Sequence, residues 1–160
     1  MSLTVVEFDL AVPPKCLHPN GRAKPFMVRK AKRGYQSDCA IEVRDAKRQY
    51  ESVLPIKSAM VFARFTLPSG LVQHQHDKDN LIAWLKFAID VFEKEGVIHN
   101  DRDLHYRSPV QVIGQRPRLR ISLMVINETA RTLMDDALDK ACEGLRGFEA
   151  AFVRSMFEVK

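Results

Sequence analysis

Hydrophobic and polar positions alternate along four stretches of the chain, and this pattern predicts β-strands. Residues 3–12 are rich in strand-forming residues and stop at Pro13 and Pro14, which cannot continue a central strand. Residues 57–66 form the second predicted strand, and residues 104–113 and 117–126 form the last two. The alternation is clearest in the last stretch, where one face carries Leu119, Ile121, Leu123 and Val125.

A helix is predicted between the first two strands. Helical spacing begins near Ser37, a plausible N-cap, and continues to about Leu54, where Pro55 ends it. The segment before this helix, residues 15–35, is interrupted by turn residues, and we expect it to be a loop or an arm. Those turn residues are Pro19, Gly21, Pro25 and Gly34.

Helical spacing returns after the second strand and again near the C-terminus. Asp77 or Asp79 is a suitable N-cap for a helix that Gly96 would end. Its apolar positions are Leu81, Leu85, Ala88 and Phe92. From Glu128 onward the spacing predicts a further helical segment, which Gly144 and Gly147 break into two.

Together these elements predict an α/β (α+β) protein, with a small mixed, largely antiparallel sheet flanked by helices. A chain of 160 residues fits one domain with an appendage, and we assign residues 1–126 to the domain and 127–160 to a C-terminal helical extension. No window of about 18 apolar residues is present, so no membrane-spanning helix is expected. The N-terminal residues lack the pattern of a signal peptide, which favours a cytoplasmic protein.

The charge is unevenly distributed. The chain has 25 Lys and Arg against 20 Asp and Glu, a net charge of +5, and residues 15–35 contain bases but no acid. Such a segment is typical of a protein that binds a phosphate backbone, although a solvated surface without a partner explains it equally well. Phe26 and Tyr35, in the same segment, are candidates for stacking on bases or for anchoring to the core. The candidate DNA-binding residues are Arg22, Lys24, Arg29, Lys30, Lys32 and Arg33.

Acidic residues are concentrated at the start of the second helix. Asp77 and Asp79 are two positions apart, so in an extended or turn segment their carboxylates point the same way and repel each other unless a cation lies between them. Hard oxygen ligands of this kind suit Mg²⁺, with Mn²⁺ as a possible substitute. Helix capping is the simpler explanation for Asp79 alone.

Lys86 and Asp90 extend this polar surface along the helix. At about 100° per residue, both return to within about 20° of the azimuth of Asp79. Taken alone, the two residues would be explained by a surface ion pair four positions apart. Asp101 follows the helix, after Gly96. The acids, the lysine and the basic segment together favour a metal-dependent site that acts on phosphate.

At this point the sequence resembles the RusA family of Holliday-junction resolvases over about residues 5–126. The family motif is D-x-D-N, then a helix with Lys four positions before Asp, then Gly and a hydrophobic segment that ends in an acidic pair. In this chain it is formed by Asp77, Asp79, Asn80, Lys86, Asp90, Gly96 and Asp101. The Pro-Pro that ends the first strand and the P-N-x-R turn at residues 19–22 are also family-like.

The resemblance implies a homodimeric, Mg²⁺-dependent endonuclease of recombination and repair that resolves four-way DNA junctions by symmetric paired nicks. It implies that Asp77, Asp79 and Asp101 are catalytic metal ligands and that Lys86 is a catalytic charge stabiliser. His76 stands where the family often has an arginine that contacts DNA, and Asn100 stands where it has the first acid of its pair. The gap between Asn80 and Lys86 is three residues longer than in founding-type members.

Two other functions fit the same residues. The acids would also serve a nuclease that cuts flaps or replication forks. A non-catalytic protein that binds branched DNA would need the basic segment but not the acids.

Overall fold

The computed structural model describes residues 4–69 and 78–126, which lie almost entirely in one compact unit, Ser2–Val125. Within these residues the protein has the predicted mixed α/β class, with a sheet of five strands where four were predicted, and two long helices. The strands are β1 (Val5–Leu10), β2 (Ala59–Leu67), β3 (Leu104–Tyr106), β4 (Val110–Ile113) and β5 (Arg118–Val125). The helices are α1 (Pro25–Lys47) and α2 (Lys78–Lys94), and short 3₁₀ turns cover Lys15–Leu17, Arg48–Tyr50 and Asp101–Asp103.

The sheet is mixed because β2 has neighbours of both directions. Its strand order is β1-β5-β2-β3, and β5 runs antiparallel to both β1 and β2. On the other edge of β2, β3 and β4 lie end to end and both run parallel to it. The single strand predicted over residues 104–113 is therefore two strands, separated at Arg107–Pro109. Pro109 has no backbone N–H to donate to a ladder, which explains the interruption.

One face of the sheet forms the core with both helices. The apolar face of β5 is buried as predicted, with Leu119, Ile121 and Leu123 fully enclosed. Phe92 of α2 packs on Phe8 of β1, with ring centroids 4.5 Å apart. Trp84 of α2 stacks on Phe65 of β2 at 5.6 Å, with the two rings nearly parallel. Neither α1 nor α2 has the length and apolar character to cross a membrane.

Helix α1 begins at Pro25, twelve residues before the predicted Ser37. The prediction of a loop or arm over residues 15–35 is therefore wrong for residues 25–35. Pro25 occupies the first turn, where its missing N–H costs nothing, and Lys24 precedes it in an extended conformation. Tyr35 is buried with Cys39 and Val43 at helical spacing, and this burial outweighs the interruption that Gly34 suggested. The helix also ends earlier than predicted, at Lys47.

Helix α2 ends at Lys94 and is closed by Gly96, as predicted, through a Schellman motif. Gly96 has a φ of +69°, and its N–H donates to the carbonyl of Glu93 at 3.2 Å. The N–H of Val97 donates to the carbonyl of Phe92 at 2.8 Å, and both of these side chains are buried. The chain thus turns directly from α2 towards β3.

Side chains near the C-terminal end of α1 contact Glu95, which follows α2. The guanidinium of Arg44 donates to both carboxylate oxygens of Glu95, each at 2.7 Å, and Lys47 donates to the backbone carbonyl of Glu95. The hydrogen bonds from Arg44 hold the pKa of the Glu95 carboxyl below its ordinary value. The C-terminal extension predicted over residues 127–160 lies outside the described residues.

Gly96→Ala is expected to destabilise the protein by about 1–2 kcal/mol, because an L side chain is disfavoured at this left-handed φ. Gly34→Ala is the matched control. It lies inside α1 with open space around its Cα, and replacement should stabilise the helix by about 0.5–1 kcal/mol. Urea unfolding of the two variants measures both effects, and a Gly96→Ala protein as stable as the parent would contradict the turn described here.

Candidate functional site

The candidate acids lie on α2 and on the turn that follows it. Asp79 is in the first turn of α2 and is exposed, where a carboxylate is favoured by the helix dipole. Among the described residues, no hydrogen-bond or ion-pair partner occupies its side chain. Asp77 and His76 lie outside the described residues, so their predicted roles stay predictions.

Asp101 is half-buried in the 3₁₀ turn Asp101–Asp103, which contacts α2. The turn is capped by Asn100, whose side-chain oxygen accepts a hydrogen bond from the N–H of Arg102 at 3.0 Å. The position at which the family resemblance has an acid is thus used here to shape the backbone beside Asp101. Such a cap fixes where the Asp101 carboxylate is presented.

Tyr106, at the end of β3, lies near two of these acids. Its hydroxyl is buried and makes no hydrogen bond within the described part of the chain. Burial raises the pKa of Tyr106 to about 12, and the negative charges of Asp101 and Asp90 contribute to the rise. Asp101 and Asp90 are therefore both within electrostatic reach of one hydroxyl. The sequence offered no motif that marks Tyr106, since a tyrosine in a strand is ordinary.

Asp90 joins the two helices. Its carboxylate pairs with Lys32 of α1 at 3.3 Å and accepts a hydrogen bond from the side-chain amide of Gln36 at 3.3 Å. The ammonium of Lys32 also lies 5.4 Å from the centre of the Phe87 ring. Both charged side chains remain about 40% exposed, so the pair contributes only about 0–1 kcal/mol. Its importance is positional, because it places α1 beside the acids.

The simple ion pair between Lys86 and Asp90 is not formed, since Asp90 pairs with Lys32 instead. Lys86 is exposed, and no hydrogen bond or ion pair engages it within residues 4–69 and 78–126. Its ammonium is thus available to a ligand. Lys86 lies about 10.5 Å from Asp79 along the helix axis.

Helix α2 separates Asp79 from Asp101 within one protomer. Asp79 and Asp90 are about 16.5 Å apart along the axis, and Asp101 lies in the turn that follows the C-terminal end of the helix. Two ligands of one Mg²⁺ each lie about 2.0–2.1 Å from the ion. Accordingly, no three His, Cys, Asp or Glu side chains within the described ranges are grouped to hold a metal. The predicted trio with Asp77 stays a prediction, and in one protomer its members are not brought together by the contacts described.

The basic segment forms an exposed surface at, and just before, the N-terminal half of α1. We call Arg22, Lys24, Arg29, Lys30 and Arg33 the basic face; all five are exposed, and no described carboxylate pairs with any of them. Lys32, also predicted to bind DNA, instead contacts Asp90.

The two aromatic residues of this segment have different surroundings. Phe26 is 65% exposed at the start of α1, so it is free to contact a ligand. Tyr35 is buried, and its hydroxyl donates to the carbonyl of Ala11 at 3.1 Å. Tyr35 is therefore an anchor for α1, and Phe26 is the stacking candidate of the two.

A scan against protein-family models finds no match to this chain, and a search of curated proteins finds no matching sequence. The resemblance to RusA resolvases therefore rests on the quoted residues alone.

Tyr106→Phe is expected to reduce the loss of stability at high pH. Folding raises the pKa of the Tyr106 hydroxyl to about 12 from an ordinary 10. As pH rises, the hydroxyl is therefore deprotonated first in the unfolded chain. This deprotonation stabilises the unfolded state, so the free energy of unfolding falls between about pH 10 and about pH 12. Urea unfolding at about pH 9 and about pH 11 measures this loss. The parent should lose more stability than the variant over this range, and equal losses would contradict the assignment.

Proposed function

We propose that this protein is a Mg²⁺-dependent endonuclease that resolves four-way DNA junctions by symmetric paired nicks. The observation that carries the proposal is that α1, whose N-terminal half carries the basic face, packs beside α2, which carries Asp79, with Lys32 of α1 paired to Asp90 of α2. A DNA backbone bound on the basic face would pass beside these carboxylates. The resemblance to RusA resolvases supports the same acids.

The proposed metal ligands are Asp77, Asp79 and Asp101. Asp79 and Asp101 pair with no Lys or Arg among the described residues, whereas Asp90 is already engaged by Lys32. Their carboxylates are therefore available, and their hard oxygen atoms fit Mg²⁺, or Mn²⁺ as a substitute. When bound, such an ion polarises the phosphate and lowers the pKa of an attacking water.

A homodimer would complete this site. Since α2 separates Asp79 from Asp101 within one protomer, we place Asp77 and Asp79 of one copy with Asp101 of the partner subunit. A four-way junction has a two-fold axis, and a two-fold dimer would present one such site to each of two equivalent strands.

Lys86 is the proposed charge stabiliser. It is exposed and unpaired within the described ranges, on the same side of α2 as Asp79. An ammonium at this position would neutralise the negative charge that develops on the phosphate oxygens.

The basic face would bind the DNA backbone, and His76 is a further predicted DNA contact. Each phosphate contact releases counterions, so binding should weaken steeply as salt rises. Within this proposal the protein acts in DNA recombination and repair, in the cytoplasm.

Asp79→Asn and Asp101→Asn are each expected to lower the cleavage rate of a synthetic four-way junction in Mg²⁺ by about 100-fold or more. Junction binding, measured by gel shift without Mg²⁺, should be unchanged or stronger, because repulsion between carboxylate and phosphate is removed. Asp103→Asn is the matched control in the same turn, and it should cleave normally. Normal cleavage by Asp79→Asn or Asp101→Asn would show that the site is assigned wrongly.

Mixing the two inactive variants is expected to restore nicking. In a mixed dimer, one of the two shared sites would hold both aspartates, so single nicks should replace paired ones. A mixture that stays inactive, although the parent cleaves, would show that each site lies within one protomer.

Lys86→Ala is expected to slow cleavage by about tenfold or more with little change in junction binding, because the lysine acts on charge that develops during the reaction. Lys94→Ala, at the far end of the same helix, should keep the parental rate. Single-turnover rates measure both, and an unchanged rate for Lys86→Ala would remove this residue from the site.

The cleaved substrate distinguishes the alternatives. Paired symmetric nicks in the junction support the proposal. Preferential removal of flaps or cutting of forks would assign the same acids to a different nuclease, and tight junction binding without cutting would indicate a binding protein.

A further inference from the structure

The sheet has a second face, opposite both described helices. Along β2, the residues with odd numbers from Ala59 to Leu67 are buried in the core, whereas Phe62 and Arg64 point the other way and are exposed. We call this second side the open face. It lies across the sheet from the basic face and from the acids of α2.

Two arginines meet at the centre of the open face. Arg64 of β2 is directly opposite Arg120 of β5 in the antiparallel ladder, and both are exposed. Side chains at such positions have Cβ atoms about 4.5–5.5 Å apart, and like charges there repel. Within the described residues, neither arginine makes a hydrogen bond or an ion pair. This arrangement would be relieved by a bound anion.

The acids on this face are already engaged. Asp9 lies opposite Arg120 in the ladder, but its carboxylate accepts a hydrogen bond from Arg118 at 3.2 Å. Glu7 accepts a hydrogen bond from Ser122 at 2.9 Å. Neither carboxylate forms an ion pair with Arg64 or Arg120 within the described residues.

An exposed aromatic ring lies beside the arginines. Phe62 is 43% exposed and is two residues from Arg64 on the same strand and face. Val110 of β4 is opposite Arg64 on the other side and is 53% exposed. Cationic side chains next to an exposed aromatic ring are the combination by which proteins bind single-stranded nucleic acid.

We propose that the open face binds single-stranded DNA, with phosphates on Arg64 and Arg120 and a base stacked on Phe62. Duplex DNA fits less well because its bases are stacked on one another and offer no free face. A second copy of the chain also fits less well, since a two-fold contact would bring four of these arginines together. The inference goes beyond the proposed function, because it uses neither the acids nor the basic face.

The test places a fluorescent reporter in the proposed site. Phe62→Trp should keep the stacking surface, and its exposed indole should be quenched when an oligothymidylate of about 20 nucleotides is added at low salt. Trp84, the only tryptophan of the natural chain, is buried, so the unsubstituted protein gives the background signal.

The substitutions Arg64→Gln and Arg120→Gln are then added to the Phe62→Trp protein. Because two phosphate contacts are lost, the affinity for oligothymidylate, measured by the quenching, should fall about tenfold or more. The matched control adds Arg48→Gln and Lys57→Gln instead, two exposed bases that belong to neither face, and it should leave the quenching affinity within about twofold. All four positions are exposed, and circular dichroism verifies that each protein is folded.

Absence of quenching in the folded Phe62→Trp protein would overturn the inference, as would an affinity that Arg64→Gln and Arg120→Gln leave unchanged. A dimer that dissociates in sedimentation experiments on adding those two substitutions would also overturn it and assign the face to a second copy. Junction cleavage is measured separately, so a failure of the proposed nuclease function and a failure at the open face are distinguishable.

Discussion

The packing of α2 on the buried face of the sheet is the contact on which the rest of the described structure depends. Phe92 against Phe8 and Trp84 against Phe65 fix the helix at two points along its length. Because β2 and β3 are parallel, the chain must return between them, and α2 is that return. This crossover determines which candidate residues are neighbours. It holds Asp79 at one end of α2 and brings Asp101 to the other.

A strand or helix could be predicted from the sequence where its own side chains determine its conformation. The alternation of β5 and the apolar spacing of α2 correctly identified a strand and a helix, and Gly96 marked the end of α2 because only a residue without Cβ adopts its φ easily. The beginning of α1 was missed because local turn residues and burial gave opposite signals. Pro25 and Gly34 suggested a loop, but packing of Tyr35 against the core decided for a helix.

The residues of the candidate site could be predicted from the sequence, but their positions relative to one another could not. The acids and the basic segment are visible in the sequence because their charges are grouped along the chain. The ion pair of Lys32 with Asp90 depends on how two helices cross, and the burial of the Tyr106 hydroxyl depends on the strand pairing of β3. Neither leaves a periodic pattern, and so neither could be inferred from residue spacing. The exposed arginines opposite each other on β2 and β5 required the register of the sheet.

The division of one edge of the sheet into β3 and β4 has a consequence for behaviour at high concentration. A long, straight edge strand offers a row of free N–H and C=O groups to which another chain can add, and this is a common route to aggregation. Here the edge beside β2 consists of strands of three and four residues, interrupted at Pro109. At the opposite side of the described sheet, β1 carries the charged residues Glu7 and Asp9. Both margins therefore discourage the growth of intermolecular β-structure.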